Sequence, residues 1–165
     1  MHQPDMVERL VILNVPHPRG LTRELAHNPE QQHTSQYARD FQQEGAHLRL
    51  TPRLLTRWIA DPAIKARYLE ALGRSDIEAM LHYYKQNYPR EPYTNDASFP
   101  NVQAPKLIIH GLRDKFLLAS GHNDVWQWID NELTLVTVPH ADHFVQHDAA
   151  DLVNRTLVNR LRTFP

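Results

Sequence analysis

No cysteine occurs among the 165 residues, which excludes disulfides, thiolate nucleophiles and cysteine metal ligands and is compatible with a reducing compartment. No apolar run approaches the roughly 20 residues of a membrane-spanning helix. The opening stretch MHQPDMVERL carries charges where a secretory signal needs an apolar core. An excess of one charge is also lacking. Lys and Arg number 18 against 19 Asp and Glu, so there is no basic footprint for nucleic acid or for an anionic membrane surface. A soluble, cytoplasmic protein is expected, either one domain with a moderate core or a piece of a larger one. Finally, neither G-x-D-x-G nor G-x-S-x-G occurs anywhere in the chain, so the sharp turn that presents a nucleophile above an α/β sheet is missing.

What is present is an alternation of strand and helix signals. Leu10 to Val15 (LVILNV) is a nearly continuous apolar run, the pattern of a parallel strand buried on both faces, and Pro16-His17-Pro18 stops it. From Leu21 to Asn87 the chain reads as helical in short pieces. Asn28-Pro29, Thr51-Pro52 and Asp61-Pro62 each place a cap residue ahead of a first-turn proline. The first of these opens a polar helix with Tyr37 and Phe41 on one face, and the third opens a helix running to Gly73. Ser75-Asp76-Ile77-Glu78 reads as a capping box ahead of Met80, Leu81 and Tyr84.

Between Tyr88 and Pro105, four prolines and no sustained period indicate a long surface connection. Lys106 to His110 is then a second strand, followed by the turn Gly111-Leu112-Arg113-Asp114 and a helix expected around Ser120 to Asp130. Leu133 to Val138 is a third strand, and a last helix is expected from Asp148 to Arg162. The order β, helical insertion, β, α, β, α predicts an α/β fold with about three parallel strands joined by right-handed crossovers.

That order puts a carboxylate, Asp114, and a turn holding His140, Asp142 and His143 just past neighbouring parallel strands, where open α/β sheets place reactive groups. A carboxylate beside a histidine fixes its tautomer and stabilises its cation, which is the orienting half of a catalytic triad. A carboxylate and a histidine so paired, as the resemblance described below implies for Asp114 and His143, are expected within roughly 3.5 Å of each other. A metal site is the competing reading of the same stretch, since His143 and His147 are four apart with His140 and Asp142 nearby, but no spacing supplies a secure third ligand.

The block PDMVERLVILNVPHP, the Gly111 to Asp114 turn after a strand, and the His140-Ala-Asp-His143-Phe-Val-Gln turn before the last helix together resemble the second half of an α/β-hydrolase of the epoxide hydrolase and haloalkane dehalogenase branch. The likeness covers nearly the whole chain. It implies a partial α/β-hydrolase fold: the start of the core over 1–18, a helical cap over 19–100, and the C-terminal part of the core over 101–165. It further implies Asp114 as the triad acid and His143 as the general base. The settings of Tyr37 in QYARDFQ and of Tyr84 in HYYK resemble the paired cap tyrosines that hold an epoxide oxygen, so both hydroxyls are expected to face His143. No cofactor or metal is implied.

Hydrolysis of a small hydrophobic epoxide to a diol through an ester intermediate is the activity this resemblance suggests. A haloalkane or haloacid dehalogenase of the same fold is the alternative. It would need halide-binding donors such as Trp or His, and Trp58 is the only tryptophan in the expected cap. The family's nucleophilic aspartate and oxyanion hole have no counterpart here. The chain is therefore expected to be inactive alone, as a truncated product or a subunit completed by another chain, with Leu10 to Val15 as the surface for self-association or complementation.

Overall fold

The computed structural model describes residues 6–94 and 99–162. The first residues of the block PDMVERL and part of the connection from Tyr88 to Pro105 therefore lie outside the described residues. Three parallel strands, β1 (Leu10–Leu13), β2 (Lys106–Gly111) and β3 (Leu133–Val138), form a sheet in the order β1-β2-β3. Leu10 pairs with Lys106, and Lys106 in turn with Leu133. The three parallel strands with flanking helices predicted from the sequence are present.

β2 is buried along its whole length because it is the central strand of the three and is covered on both faces. Its side chains alternate. Leu107 and Ile109 pack with Val138, Ala141, Val145 and Val153 on one face, while Ile108 packs with Val125 and Ile129 on the other. At roughly 1.5–3 kcal/mol for each large aliphatic side chain taken out of water, these two clusters are the main force holding the sheet to its helices.

β1 corrects the expectation of a strand buried on both faces. It is shorter, ending at Leu13, and every one of its residues is only half-buried, since among the described residues it pairs with β2 on one side alone. Asn14, which follows, takes a left-handed backbone conformation (φ 56°) that a strand cannot accommodate.

The helices between β1 and β2 are α1 (Pro18–His27), α2 (Pro29–Thr34), α3 (Gln36–Phe41), α4 (Pro52–Leu55), α5 (Pro62–Gly73) and α6 (Ile77–Asn87), with a 3₁₀ turn at Ala46–Arg49. Their starts follow the caps. The Asn28, Thr51 and Asp61 side chains each accept backbone N–H bonds from the first turn of the helix that follows. The expected capping box is corrected: Asp76, not Ser75, is the cap, accepting from the Ala79 N–H at 3.0 Å. Residues Gln36–Arg90 form one compact unit, and Met1–Ser35 with Glu91–Pro165 form the other.

Two further helix expectations are revised. In place of a helix from Ser120 to Asp130 there are two 3₁₀ turns, Ala119–His122 and Val125–Trp128, because Asp124 between them adopts φ 59° and interrupts any continuous helix. The final helix is likewise divided, into α7 (Val145–Asp148) and α8 (Ala150–Arg162). Asp148 ends the first piece, and its carboxylate instead accepts the Asp142 N–H at 2.7 Å.

Candidate active site

Asp114 and His143 are delivered by the carboxyl ends of β2 and β3. The turn after β2 is fastened to the loop after β3 by backbone bonds from Leu112 N–H to Val138 (3.0 Å) and from Arg113 N–H to Ala141 (2.9 Å). Gly111 is needed for that approach: a Cβ there would lie 2.4 Å from the Asp142 carbonyl oxygen and 2.6 Å from that of Ala141. His143 N–H donates to the Asp142 carboxylate at 2.7 Å, which fixes the backbone of the histidine turn.

The result is a contact of 2.8 Å between His143 Nδ1 and Asp114 Oδ2, inside the expected limit. The carboxylate is 5% exposed and accepts four hydrogen bonds. The Phe116 and Leu117 N–H groups donate to Oδ1 at 2.8 and 3.1 Å. Asn14 Nδ2 and His143 Nδ1 meet Oδ2, each at 2.8 Å. Burial alone would raise the Asp114 pKa, but bonding to and charge on His143, followed by the Asn14 and Leu117 bonds, outweigh it and hold the carboxyl below its ordinary range. An ionised carboxylate only accepts, so Nδ1 is the donor to it, and in a neutral imidazole Nε2 then carries the lone pair. The rings of Phe116 and Phe144 stand edge-on to the imidazole, with centroids 5.1 Å away in each case.

Tyr37 and Tyr84 belong to the 36–90 unit. Their rings meet edge to face at 6.0 Å, and Phe41 completes the cluster 5.6 Å from Tyr37 and 5.0 Å from Tyr84. Gln42 Nε2 donates to the carbonyls of Tyr84 and Tyr88, tying the end of α3 to that of α6. Burial, then the neighbouring Tyr83, pushes the Tyr84 phenol pKa up, which keeps it protonated and able to donate. As for a metal, no three ligand-type side chains come together among the described residues. His147 packs against Phe144 instead, at 6.4 Å.

Sequence reasoning passed over several buried polar groups around Asp114. Gln31, fully buried on α2, accepts the Leu118 N–H and donates to the Phe116 carbonyl, both at 2.8 Å, and so pins the loop that follows the acid. His110 and His122 face each other with 3.0 Å between ring nitrogens. Asn14 was hidden inside an apolar run. The one available signal was a polar amide at the end of a strand otherwise made of Leu, Val and Ile.

Comparison with known proteins bears on the fold. No family model matches the chain. Epoxide hydrolase 3 of Xenopus tropicalis is 27% identical over 177 residues, covering 96% of this chain and 47% of that protein. Human epoxide hydrolase 4 is 24% identical over 173 residues, covering 93% and 46%. Among solved structures, an epoxide hydrolase from metagenomes of hot environments superposes with a TM-score of 0.77 at 28% identity, over 96% of this chain and 60% of its own. Bacillus megaterium epoxide hydrolase gives 0.81 at 23% identity, over 98% and 63%. The chain has the fold of the α/β-hydrolases, and the proteins it is similar to over nearly all of its length are epoxide hydrolases. The α/β-hydrolase chain spans about half the length of the curated relatives it matches.

Proposed function

We propose that this α/β-hydrolase chain supplies the acid, the base and the phenolic donors of an epoxide hydrolase, and that the nucleophile comes from outside these 165 residues. The observation that carries the reading is the buried Asp114 carboxylate bonded to His143 Nδ1 at 2.8 Å. In the reaction, an aspartate from the complementary half attacks an epoxide carbon, and the carbon–oxygen bond breaks. The departing oxygen takes a proton from Tyr37 or Tyr84, leaving a hydroxyalkyl ester. His143 Nε2 then removes a proton from water, which attacks the ester carbonyl, while Asp114 stabilises the imidazolium. Collapse of the tetrahedral adduct expels the alkoxide, which takes the proton from the His143 imidazolium to give the diol, and the carboxylic acid left on the nucleophile gives up its proton to restore the phenol.

The substrate is a small hydrophobic epoxide, and the helical stretch over 19–100 acts as the cap that bears the two tyrosines. Epoxide-opening proteins among the relatives support this choice over halide displacement, as does the presence of a tyrosine pair. A cytoplasmic location belongs to the same proposal. The outer edge of β1 serves as the surface for a complementing chain or a second copy. No helix among the described residues is long and apolar enough to cross a membrane.

The test is an assay with a chromogenic epoxide, using this chain with and without a nucleophile-bearing half of an epoxide hydrolase. Turnover only in the mixture, abolished by His143→Ala, supports the proposal. Turnover that survives His143→Ala overturns it.

A further inference from the structure

We infer that Asn14 is a positioning residue for the Asp114–His143 pair: one side-chain amide at the end of β1 holds the acid ionised and sets its place relative to the histidine turn. This deepens the hydrolase proposal above and rests on it.

Asn14 joins three strand ends. Its Nδ2 donates to Asp114 Oδ2 at 2.8 Å, the same oxygen that His143 Nδ1 meets, and also lies 3.3 Å from the carbonyl of Asp142, the residue before His143. Its Oδ1 accepts the Gly111 N–H at 3.4 Å, and its own N–H donates to the Ile109 carbonyl at 2.9 Å. The acid's turn and the histidine's turn are thus both bonded to one amide. The side chain reaches them because the backbone turns left-handed at φ 56°, a conformation that asparagine tolerates better than most residues.

The four donors around Asp114 have different origins. Phe116 and Leu117 belong to its own loop and move with it, and His143 changes its charge during the proposed reaction. Asn14 is the remaining donor. It is neutral, 1% exposed and anchored in a different strand. A carboxylate offers about four lone-pair sites, so without the amide one site on Oδ2 is left unmatched in a buried setting. Two consequences follow. The carboxyl then titrates higher, and it is less firmly held against the imidazole as the imidazolium forms. Asn14 touches no reacting atom in this scheme, so its contribution belongs to the step in which His143 is charged rather than to substrate binding.

The experiment uses two variants of the full chain. Asn14→Gly removes the amide and tolerates the left-handed backbone. Asn14→Asp keeps the shape but sets a second carboxylate beside the first. Folding of each is checked by amide NMR spectra, and the Asp114 carboxyl is titrated by ¹³C NMR in the 165-residue chain. The expected result is an Asp114 midpoint about one pH unit higher in Asn14→Gly, and two coupled carboxyl titrations in Asn14→Asp, one of them well above the usual range.

In the assembly that turns over epoxide, kcat of Asn14→Gly should fall about tenfold with KM changed less than about twofold. An Asp114 midpoint unchanged in both variants overturns the inference, as does a loss confined to KM. The hydrolase reading is judged separately by His143→Ala. If that variant leaves epoxide turnover intact the reading falls, while the carboxyl titration still decides whether Asn14 governs Asp114.

Discussion

A base that acts only in the second half of a reaction leaves a trace when it is removed. His143→Gln should allow the first half, attack on the epoxide, and block hydrolysis of the ester, so the nucleophile-bearing half should gain the mass of one substrate molecule in intact-protein mass spectrometry. Asp114→Asn keeps the carboxylate's shape but turns one oxygen into a donor facing the His143 Nδ1 proton, which favours the wrong tautomer. By analogy with other triads it should lower kcat about 10³–10⁴-fold. At the same scale, buried histidines make the core sensitive to acid. Burial, then the neighbouring His110, lowers the His122 pKa to about 4, and burial, then Lys106, does the same for His17. In the unfolded chain both titrate near 6.5. Between those values the unfolded state binds more protons, so stability is complete above pH 6.5 and is lost as pH falls towards 4, by on the order of 1–3 kcal/mol for each group. Urea midpoints at pH 7.5 and 4.5 should show that loss, and His122→Phe should reduce it. The Asp114–His143 contact was legible in the sequence, because each residue follows a recognisable strand. Asn14, Gln31 and the His110–His122 contact were not, because they depend on which strand ends and loops become neighbours across distances of up to 100 positions.

Elements were legible where local chemistry decides them. Proline after a capping side chain marked three helix starts, and β3 spans the predicted Leu133–Val138. Errors occurred where a single residue takes an unexpected backbone conformation. Asn14 at φ 56° shortens β1, and Asp124 at φ 59° replaces one helix by two turns. Neither sign of φ can be read from an isolated Asn or Asp, which occupy both regions. Gly111 shows how an element boundary becomes a functional constraint, since its missing Cβ lets the ends of β2 and the histidine turn meet. Gly111→Ala would push backbone against backbone, where no rotamer change relieves the clash. It should cost about 1–3 kcal/mol in urea unfolding, possible because overpacking forces whole segments apart. It should also lengthen the His143–Asp114 contact, seen as loss of the downfield Nδ1 proton resonance. Gly73→Ala, with nothing within 4 Å of the added carbon, is the matched control and should leave that resonance in place.

For the molecule as a whole, the decisive feature is the free side of β1. Among the described residues this strand has one partner, β2, so the backbone groups on its other side have no ladder. A groove of about 280 Å³ is lined by Leu10 and Ile12 of β1, by Lys106 of its paired neighbour, and by Val15, Pro16 and Phe99 among others. Lys106 is 3% exposed, and burial lowers its pKa. An unpaired strand edge favours association with another strand over contact with water. The chain alone is therefore expected to self-associate, with a molar mass in solution that rises with concentration, and to hydrolyse no epoxide. If the proposed function holds, a half carrying the nucleophile and a strand for the β1 edge should remove both defects together. Val11→Lys would not separate the two effects, because Val11 pairs with Leu107 in register while its side chain packs against the core cluster, so the variant should lose core stability as well. Val15→Lys is the cleaner probe, since Val15 is 43% exposed and lies beyond the strand. Val15→Lys should weaken both self-association and complementation by about tenfold or more while leaving the His143 Nδ1 resonance unchanged. Light scattering and titration of the complementary half against turnover measure the two binding events. A Val15→Lys chain that complements normally would place the docking surface elsewhere.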